Sequence, residues 1–366
     1  MTDTKKISYK QLAVLMVMSR LFADVVAHDP AGSDYSMQRF TVIVLSCIIL
    51  FLLYLPLIFL AAKHPGESAI SLIAAKSRGL GWLCGAAVAV TLLISSISSI
   101  CSMSFYATGT VFVQAPMWLM IMLPLLVCAI AAWKGIQGIA RSGVIFGAVF
   151  AAFMLLIVIS VWKRFDWGWL YPAFLEEPGQ LFGQLLRQVG ESSEILVFAV
   201  LMECVGEKTQ RTVYWYIPAV MVLQLLMLLI EVLVLGPFLS AAAFPFFTIS
   251  ALSDIVLFQR LDGINVAVWT LMCITKLTVM LISIKTIFVR LAGEKAGKVS
   301  VWPALIITAA ASLIFGGDTG FTANMQKILL SCIPLLAGGV LIPAIALIAA
   351  KLKKRSGGEN VREKGV

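Results

Sequence analysis

Charge is what this sequence has least of. Only 13% of its 366 residues are Asp, Glu, Lys or Arg, where a soluble domain carries about a quarter. Histidine is scarcer still. His28 and His64 are the only two, which argues against a histidine-built metal centre. The seven cysteines, at positions 47, 84, 101, 128, 204, 273 and 332, form no Cys-x-x-Cys pair and fall almost entirely in apolar runs. They read as small hydrophobes rather than metal ligands or disulfide partners. No Ser/His/Asp arrangement occurs in a suitable context, so no catalytic residue is nominated and no enzyme, metal or cofactor is expected. "FGGDTGF" at 315–321 has the glycines of a phosphate loop but not the GxxxxGK[ST] spacing, and it reads as a turn. No Ala-x-Ala site follows the first apolar run, so that run is expected to be a retained span rather than a signal peptide.

What the chain has is hydrophobicity. It is 60% hydrophobic with a mean hydropathy of +0.98, and the bilayer is its solvent. Crossing roughly 30 Å of hydrocarbon takes about 20 apolar residues in a helix. Runs of that order cover 8–27, 40–62, 81–113, 116–133, 143–162, 188–205, 212–238, 264–289, 300–317 and 327–350. They are too long for barrel strands. The fold class expected is therefore all-α integral membrane, with ten transmembrane helices in one domain over 1–350. The polar, basic stretch 351–366 is expected to be a disordered cytoplasmic tail whose basic start is a stop-transfer anchor or else lies on anionic lipid. With the N-terminus inside, twenty Lys and Arg fall on the inner side and six on the outer, leaving Arg20 and Lys276 within spans. This bias puts both termini in the cytoplasm. It also accounts for the net charge of +9 without a nucleic-acid partner.

Ten spans divide into two sets of five, and an odd number per set inverts one set relative to the other. Inverted repeats with interrupted helices around a central site are a recurrent transporter architecture. Spans 1 and 6 are then the candidates for interruption. Span 6 carries Gly190, Glu191, Ser192, Ser193 and Glu194 between an amphipathic half and an apolar half, a cluster suited to an unwound segment lining a cavity. Between spans 7 and 8, residues 245–262 are apolar but include Asp254, Arg260 and Asp262. They are expected to form a helix on the outer face, a candidate lid, followed by a turn at Asp262-Gly263.

That stretch, "FPFFTISALSDIVLFQRLDGINVAVW", with Pro245, the triplet Arg260-Leu261-Asp262 and Trp269, resembles the pattern of the spore germination permease family, the B-subunits of germinant receptors. "ISYKQLAVLM" at the start, "WKGIQGIAR" between spans 4 and 5, "WLYPAF" at 169–174 and "EILVFAVLMECV" in span 6 match in order. The family looks like a branch of the amino acid–polyamine–organocation superfamily. The resemblance implies an amino acid permease-like, five-plus-five fold and a place in the spore inner membrane. It implies A- and C-type receptor subunits as partners and the task of binding a small, amino acid-like germinant to trigger germination. One departure stands out. Many superfamily members have a glycine-rich break in span 1, whereas here no glycine precedes Gly32 and "SRLFADVV" occupies that place.

Ionisable residues deep in a span cost ~3 kcal/mol each on insertion scales and usually face the bundle interior. The clear cases are Arg20, Asp24, Glu194 and Lys276; Glu203 and Glu231 lie nearer span ends. Arg20 and Asp24, four residues apart, share a helix face. They form either a structural ion pair or a site in which Arg20 takes a ligand carboxylate bidentately. Glu194 either holds a ligand ammonium, relays a proton, or caps and pairs within the break. Lys276 either stands where sodium-coupled members of this fold keep an ion, or pairs with Asp24 or Glu194 for assembly alone. In span 3, Thr91, Ser95, Ser99 and Ser102 form a stripe that reads as close helix packing or as cavity lining. The candidate ligand-binding set is Arg20, Asp24, Ser95, Ser99, Gly190, Glu194 and Lys276. A proton-coupled amino acid transporter and a scaffold subunit without a ligand of its own are the competing functions.

Overall fold

A computed structural model describes residues 6–26, 36–170, 178–206, 208–253, 261–316 and 333–349, and the architecture below is that of those residues. A backbone in lipid must satisfy its own hydrogen bonds, and the apolar runs do so as helices. The elements are α1 (Tyr9–Val26), α2 (Ser36–Lys63), α3 (Ala69–Lys76), α4 (Arg78–Gly109), α5 (Met117–Lys134), α6 (Ile136–Val161), α7 (Pro178–Gly190), α8 (Glu194–Leu201), α9 (Arg211–Leu235), α10 (Pro245–Ala251), α11 (Asp262–Ala292), α12 (Glu294–Phe315) and α13, which opens at Ile333–Leu336. The described residues hold no strand beyond an isolated bridge between Ile7 and Val205.

Seven helical stretches are long and apolar enough to cross a membrane: Gln38–Lys63, Arg78–Gly109, Met117–Lys134, Ile136–Arg164, Arg211–Ser240, Asp262–Ala292 and Glu294–Phe315. They are expected spans 2, 3, 4, 5, 7, 8 and 9. The other three fall short for different reasons. The 18 residues of α1 include Lys10, Arg20 and Asp24. The sixth is divided into α7 and α8, with Glu191, Ser192 and Ser193 outside either helix. The tenth begins in 317–332, outside the described residues. Residues 350–366 and positions 254–260 of the helix expected over 245–262 also lie outside them, as does most of "FGGDTGF".

The interruption expected of spans 1 and 6 falls on one of them only. α1 runs unbroken from Tyr9 to Val26. Its sequence has no glycine or proline to interrupt it, and Leu, Met, Ala and Arg all favour the helix. Two expected inner loops are also shorter than the apolar runs suggested. Gly135 alone joins α5 to α6 and Gly293 alone joins α11 to α12, at φ of 88° and 94°. That left-handed region is open to glycine at little cost, so one residue reverses the chain.

The fold is organised around α11, the most deeply buried span. It packs against α1, α4, α5, α6, α8, α10 and α12. On the side away from Ile7, the short helix α10 is wedged over its N-terminal end. Phe246 is fully buried, edge-on to Trp269 at 5.8 Å and tilted against Phe153 at 6.3 Å. Asn265 donates to Tyr106 Oη at 3.2 Å and Ser250 Oγ at 3.0 Å, and accepts from Trp269 Nε1. Asp262-Gly263, expected as a turn, is instead the first turn of α11, where a carboxylate meets the positive end of the helix dipole.

α13 widens into a π turn over Ala337–Leu341. Here Gly338 and Gly339 let the backbone approach α8 so closely that a methyl group at either would meet Leu196 Cδ2 or Ile195 Cδ1. Gly338→Ala is therefore expected to lower the thermal stability of purified protein, since overpacking of this kind costs about 1–3 kcal/mol. An unchanged melting temperature would show that α13 does not press on α8.

Candidate functional site

The break between α7 and α8 is where the buried charges meet. α7 ends at Gly190 and α8 starts at Glu194, the segment in which the sequence placed its polar cluster. Two neighbouring positions on α1 face it. Ser19 Oγ donates to Glu194 Oε1 at 2.7 Å. Arg20 Nη2 donates to the carbonyl of Gln188 at 2.9 Å, lies 3.2 Å from Asp24 Oδ1 and 3.9 Å from Glu191 Oε2. The Arg20 side chain is only 1% exposed. The carbonyl it reaches belongs to the last turn of α7, whose acceptors have no partner within the helix. An arginine fork is suited to that mixture of carbonyl and carboxylate.

Asp24 is held from two further helices. Gln224 Nε2, on α9, donates to Oδ2 at 2.7 Å, and Gln188 Nε2, on α7, approaches Oδ1 at 3.4 Å. From the opposite direction Lys276, midway along α11 and buried, places Nζ 3.7 Å from Glu194 Oε1. It neither faces lipid nor reaches towards a membrane surface. Glu194 thus pairs across helices rather than capping its own break, and Ser193 at the N-cap makes no side-chain capping bond.

Of the nominated residues, the structure brings together Arg20, Asp24, Glu194 and Lys276, with Gly190 closing α7 beside them. Ser95 and Ser99 are buried on α4, which packs against α1 and α11. No hydrogen bond joins either to the charged cluster among the described residues. Their neighbour Ser96 donates to the Leu92 carbonyl at 2.8 Å and lies 3.4 Å from Met280 Sδ on α11. That is how small residues behave in close helix packing. Ser19, Gln188, Glu191 and Gln224 belong to the site but were not nominated. Gln224 had a signal, being a lone amide inside the apolar run of α9. Ser19 had only its adjacency to Arg20.

Asp24, Glu191 and Glu194 face Arg20 and Lys276, and Arg187 of α7 also acts on Glu191. Hydrogen bonding is unfinished. Among the described residues, buried atoms without a partner include Arg20 Nε and Nη1, Ser192 Oγ, Ser193 Oγ and Glu194 Oε2, and also the hydroxyls of Tyr54 and Tyr216. Those two rings pack edge-on at 5.8 Å, and Tyr54 packs likewise against Phe198, one turn beyond Glu194, at 5.9 Å. The hydroxyls approach each other without completing a hydrogen bond. A buried polar atom left unpaired costs about 1–3 kcal/mol, so a set of them in one place points to a group that completes the network. No set of three or more His, Cys, Asp or Glu with metal-binding geometry occurs among the described residues.

Because Gln224 is the strongest neutral donor to Asp24, Gln224→Leu is expected to destabilise the protein by about 1–3 kcal/mol. Gln224→Glu should cost more, since it sets a further carboxylate against Asp24. Thermal unfolding in detergent measures both, and equal losses would mean that Asp24 does not depend on the charge of its neighbour.

A sequence model of the family described as spore germination protein matches residues 6–317. No curated protein sequence matches the chain. Among solved structures, a Na+-coupled sialic acid symporter in a substrate-bound, outward-open state aligns with a TM-score of 0.67 at 14% sequence identity. The alignment covers 94% of this chain and 79% of that one. At that identity the likeness speaks for the fold.

Proposed function

The chain belongs to the spore germination protein family, and from that membership we propose that it is the germinant-binding membrane subunit of a germinant receptor. The ligand is a small amino acid-like molecule, bound midway through the membrane at the break between α7 and α8. The observation that carries this reading is the incomplete network. Arg20 keeps Nε and Nη1 unpaired, one on each of the two edges that flank Nη2, and a ligand carboxylate would accept from either of them while sharing Nη2. Glu194 Oε2 is unpaired beside them, and an ammonium would meet it. In this reading Asp24, Gln224 and Gln188 orient the guanidinium, and Lys276 supplies the fixed positive charge that a bound ion would otherwise provide.

The twenty-to-six distribution of Lys and Arg supports cytoplasmic termini, which puts Ile7 and the glycine turns at 135 and 293 on the inner face and α10 on the outer one. Family membership supports a place in the spore inner membrane, with an A-type and a C-type subunit as partners.

A second reading, a proton-coupled amino acid transporter, has a specific observation in its favour. Glu194 is buried at the break with Oε2 unpaired, the placement of a proton relay, and the fold is shared with a symporter. Uptake of labelled amino acids by proteoliposomes under a proton gradient would favour this reading, as would an isolated metabolic operon. Adjacent genes for A- and C-type subunits would favour the receptor.

Arg20→Lys retains the charge and loses the fork, and Arg20→Gln loses both. In spores where the complex assembles normally, both substitutions are expected to shift the germinant dose response by at least about tenfold, the scale of a charge-assisted hydrogen bond. An unchanged dose response in both variants would overturn the assignment of Arg20.

A further inference from the structure

Glu194 and Glu203 stand at the two ends of one short, fully buried segment. It comprises α8 and the 3-10 turn Met202–Cys204 that continues it. Each end is held to α11 by an ion pair. Lys276 meets Glu194 at 3.7 Å. Arg290 Nε donates to Glu203 Oε1 at 2.8 Å. Lys276 and Arg290 are fourteen residues apart on α11, close to four helical turns. They therefore project from nearly the same face, about 21 Å from one another.

The two attachments differ in their surroundings. The upper one is buried on both sides. The lower one borders a cavity of about 160 Å³, lined by Gly135, Ile136, Glu203, Cys204, Lys285 and Arg290 among others. That is room for several waters. The Arg290 side chain is 31% exposed, while Glu203 Oε2 is buried without a protein partner. Water in the cavity can hydrate both groups if they separate, which it cannot do for Glu194 and Lys276. The strand-like residue below α1 is tied to the same place. Ile7 N donates to the Cys204 carbonyl at 2.9 Å, and Gly206 N to the Ile7 carbonyl at 3.3 Å. Ser19, further along α1, holds Glu194. The first half of α1 and the α8 segment are thus joined at both ends and bear on α11 together.

We infer that the α8 segment is a lever connecting the ligand site to the cytoplasmic face, with the Glu203–Arg290 pair as its releasable latch. The inference rests on the function proposed above. A ligand ammonium on Glu194 Oε2 competes with Lys276 for the carboxylate and loosens the upper end, and the segment can then shift at the lower end, where water is available. Coupling of this kind requires a contiguous element with two arrangements, and the cavity gives Glu203 somewhere to go.

Cys204 is a built-in reporter. It lines the cavity and is 7% exposed, so its reaction with a sulfonated, membrane-impermeant maleimide reads opening from the inner face. The full-length protein is labelled in inside-out membrane vesicles, and modification is mapped by mass spectrometry. Cys128, fully buried on α5, serves as the control for intact folding. Glu203→Gln is expected to raise the Cys204 rate about tenfold with Cys128 still protected, and the exchange Glu203→Arg with Arg290→Glu to restore it. The double variant Glu194→Gln with Lys276→Met removes the upper pair without stranding a buried charge. It is expected to raise the Cys204 rate to a similar extent from the far end of the segment. An unchanged rate in Glu203→Gln would overturn the latch. A raised rate there with none in the double variant would overturn the lever. Either result would leave the assignment of Arg20 standing, since that is tested by germinant response.

Discussion

Five ionisable side chains around a gap in one helix must neutralise one another in a solvent that cannot do it for them. That requirement sets the position of most of what surrounds them. Arg20 draws α1 against the end of α7. Asp24 draws it against α9 through Gln224. Glu194 joins α1, through Ser19, to α11, through Lys276. Removing one member of a buried pair typically costs 3–5 kcal/mol, far more than the pair contributes. The cluster therefore specifies an arrangement more than it stabilises one. The gap is part of the same requirement. A continuous helix would satisfy its own carbonyls and leave none for Arg20, whereas the last turn of α7 offers the carbonyl of Gln188.

A purely structural cluster would be expected to close on itself, and this one does not. It leaves several buried atoms with nothing to bond to, including two nitrogens of the Arg20 guanidinium. By contrast, the polar group beneath α10 is well connected. Asn265 uses both ends of its amide, and Tyr106, Ser250 and Trp269 all join it. The two networks lie in the same bundle under the same constraint. The complete one fastens α10 to α11 and α4, and the incomplete one is where the ligand is proposed to bind.

Much of this was legible in the sequence, because lipid makes both length and polarity conspicuous. A charge in an apolar run is visible at once, so Arg20, Asp24, Glu194 and Lys276 could be named, and the run GESSE gave the position of the gap. What could not be read depends on contacts between distant segments. Nothing local says that Gln224 meets Asp24, two hundred residues earlier, or that Tyr54 and Tyr216 leave their hydroxyls beside the cluster. The serine stripe of α4 leaves packing and cavity lining both open, and Ser96 beside it packs against Met280 of α11. Apolar counting also cannot see a reversal made by one residue, so Gly135 and Gly293 passed as parts of longer loops, and Asp262-Gly263 passed as a turn when it begins a helix.

The unbroken course of α1 has an evolutionary consequence. Where a binding site is made from exposed backbone, its chemistry is common to every sequence that keeps the break, and selectivity must be built around a fixed core. Here α1 contributes side chains alone: Ser19, Arg20 and Asp24. Single codon changes can alter each of them without altering the path of the chain. Receptors built this way can diverge in what wakes the spore while conserving the framework that carries the signal, and a lineage entering a new nutrient environment would need few substitutions to follow it.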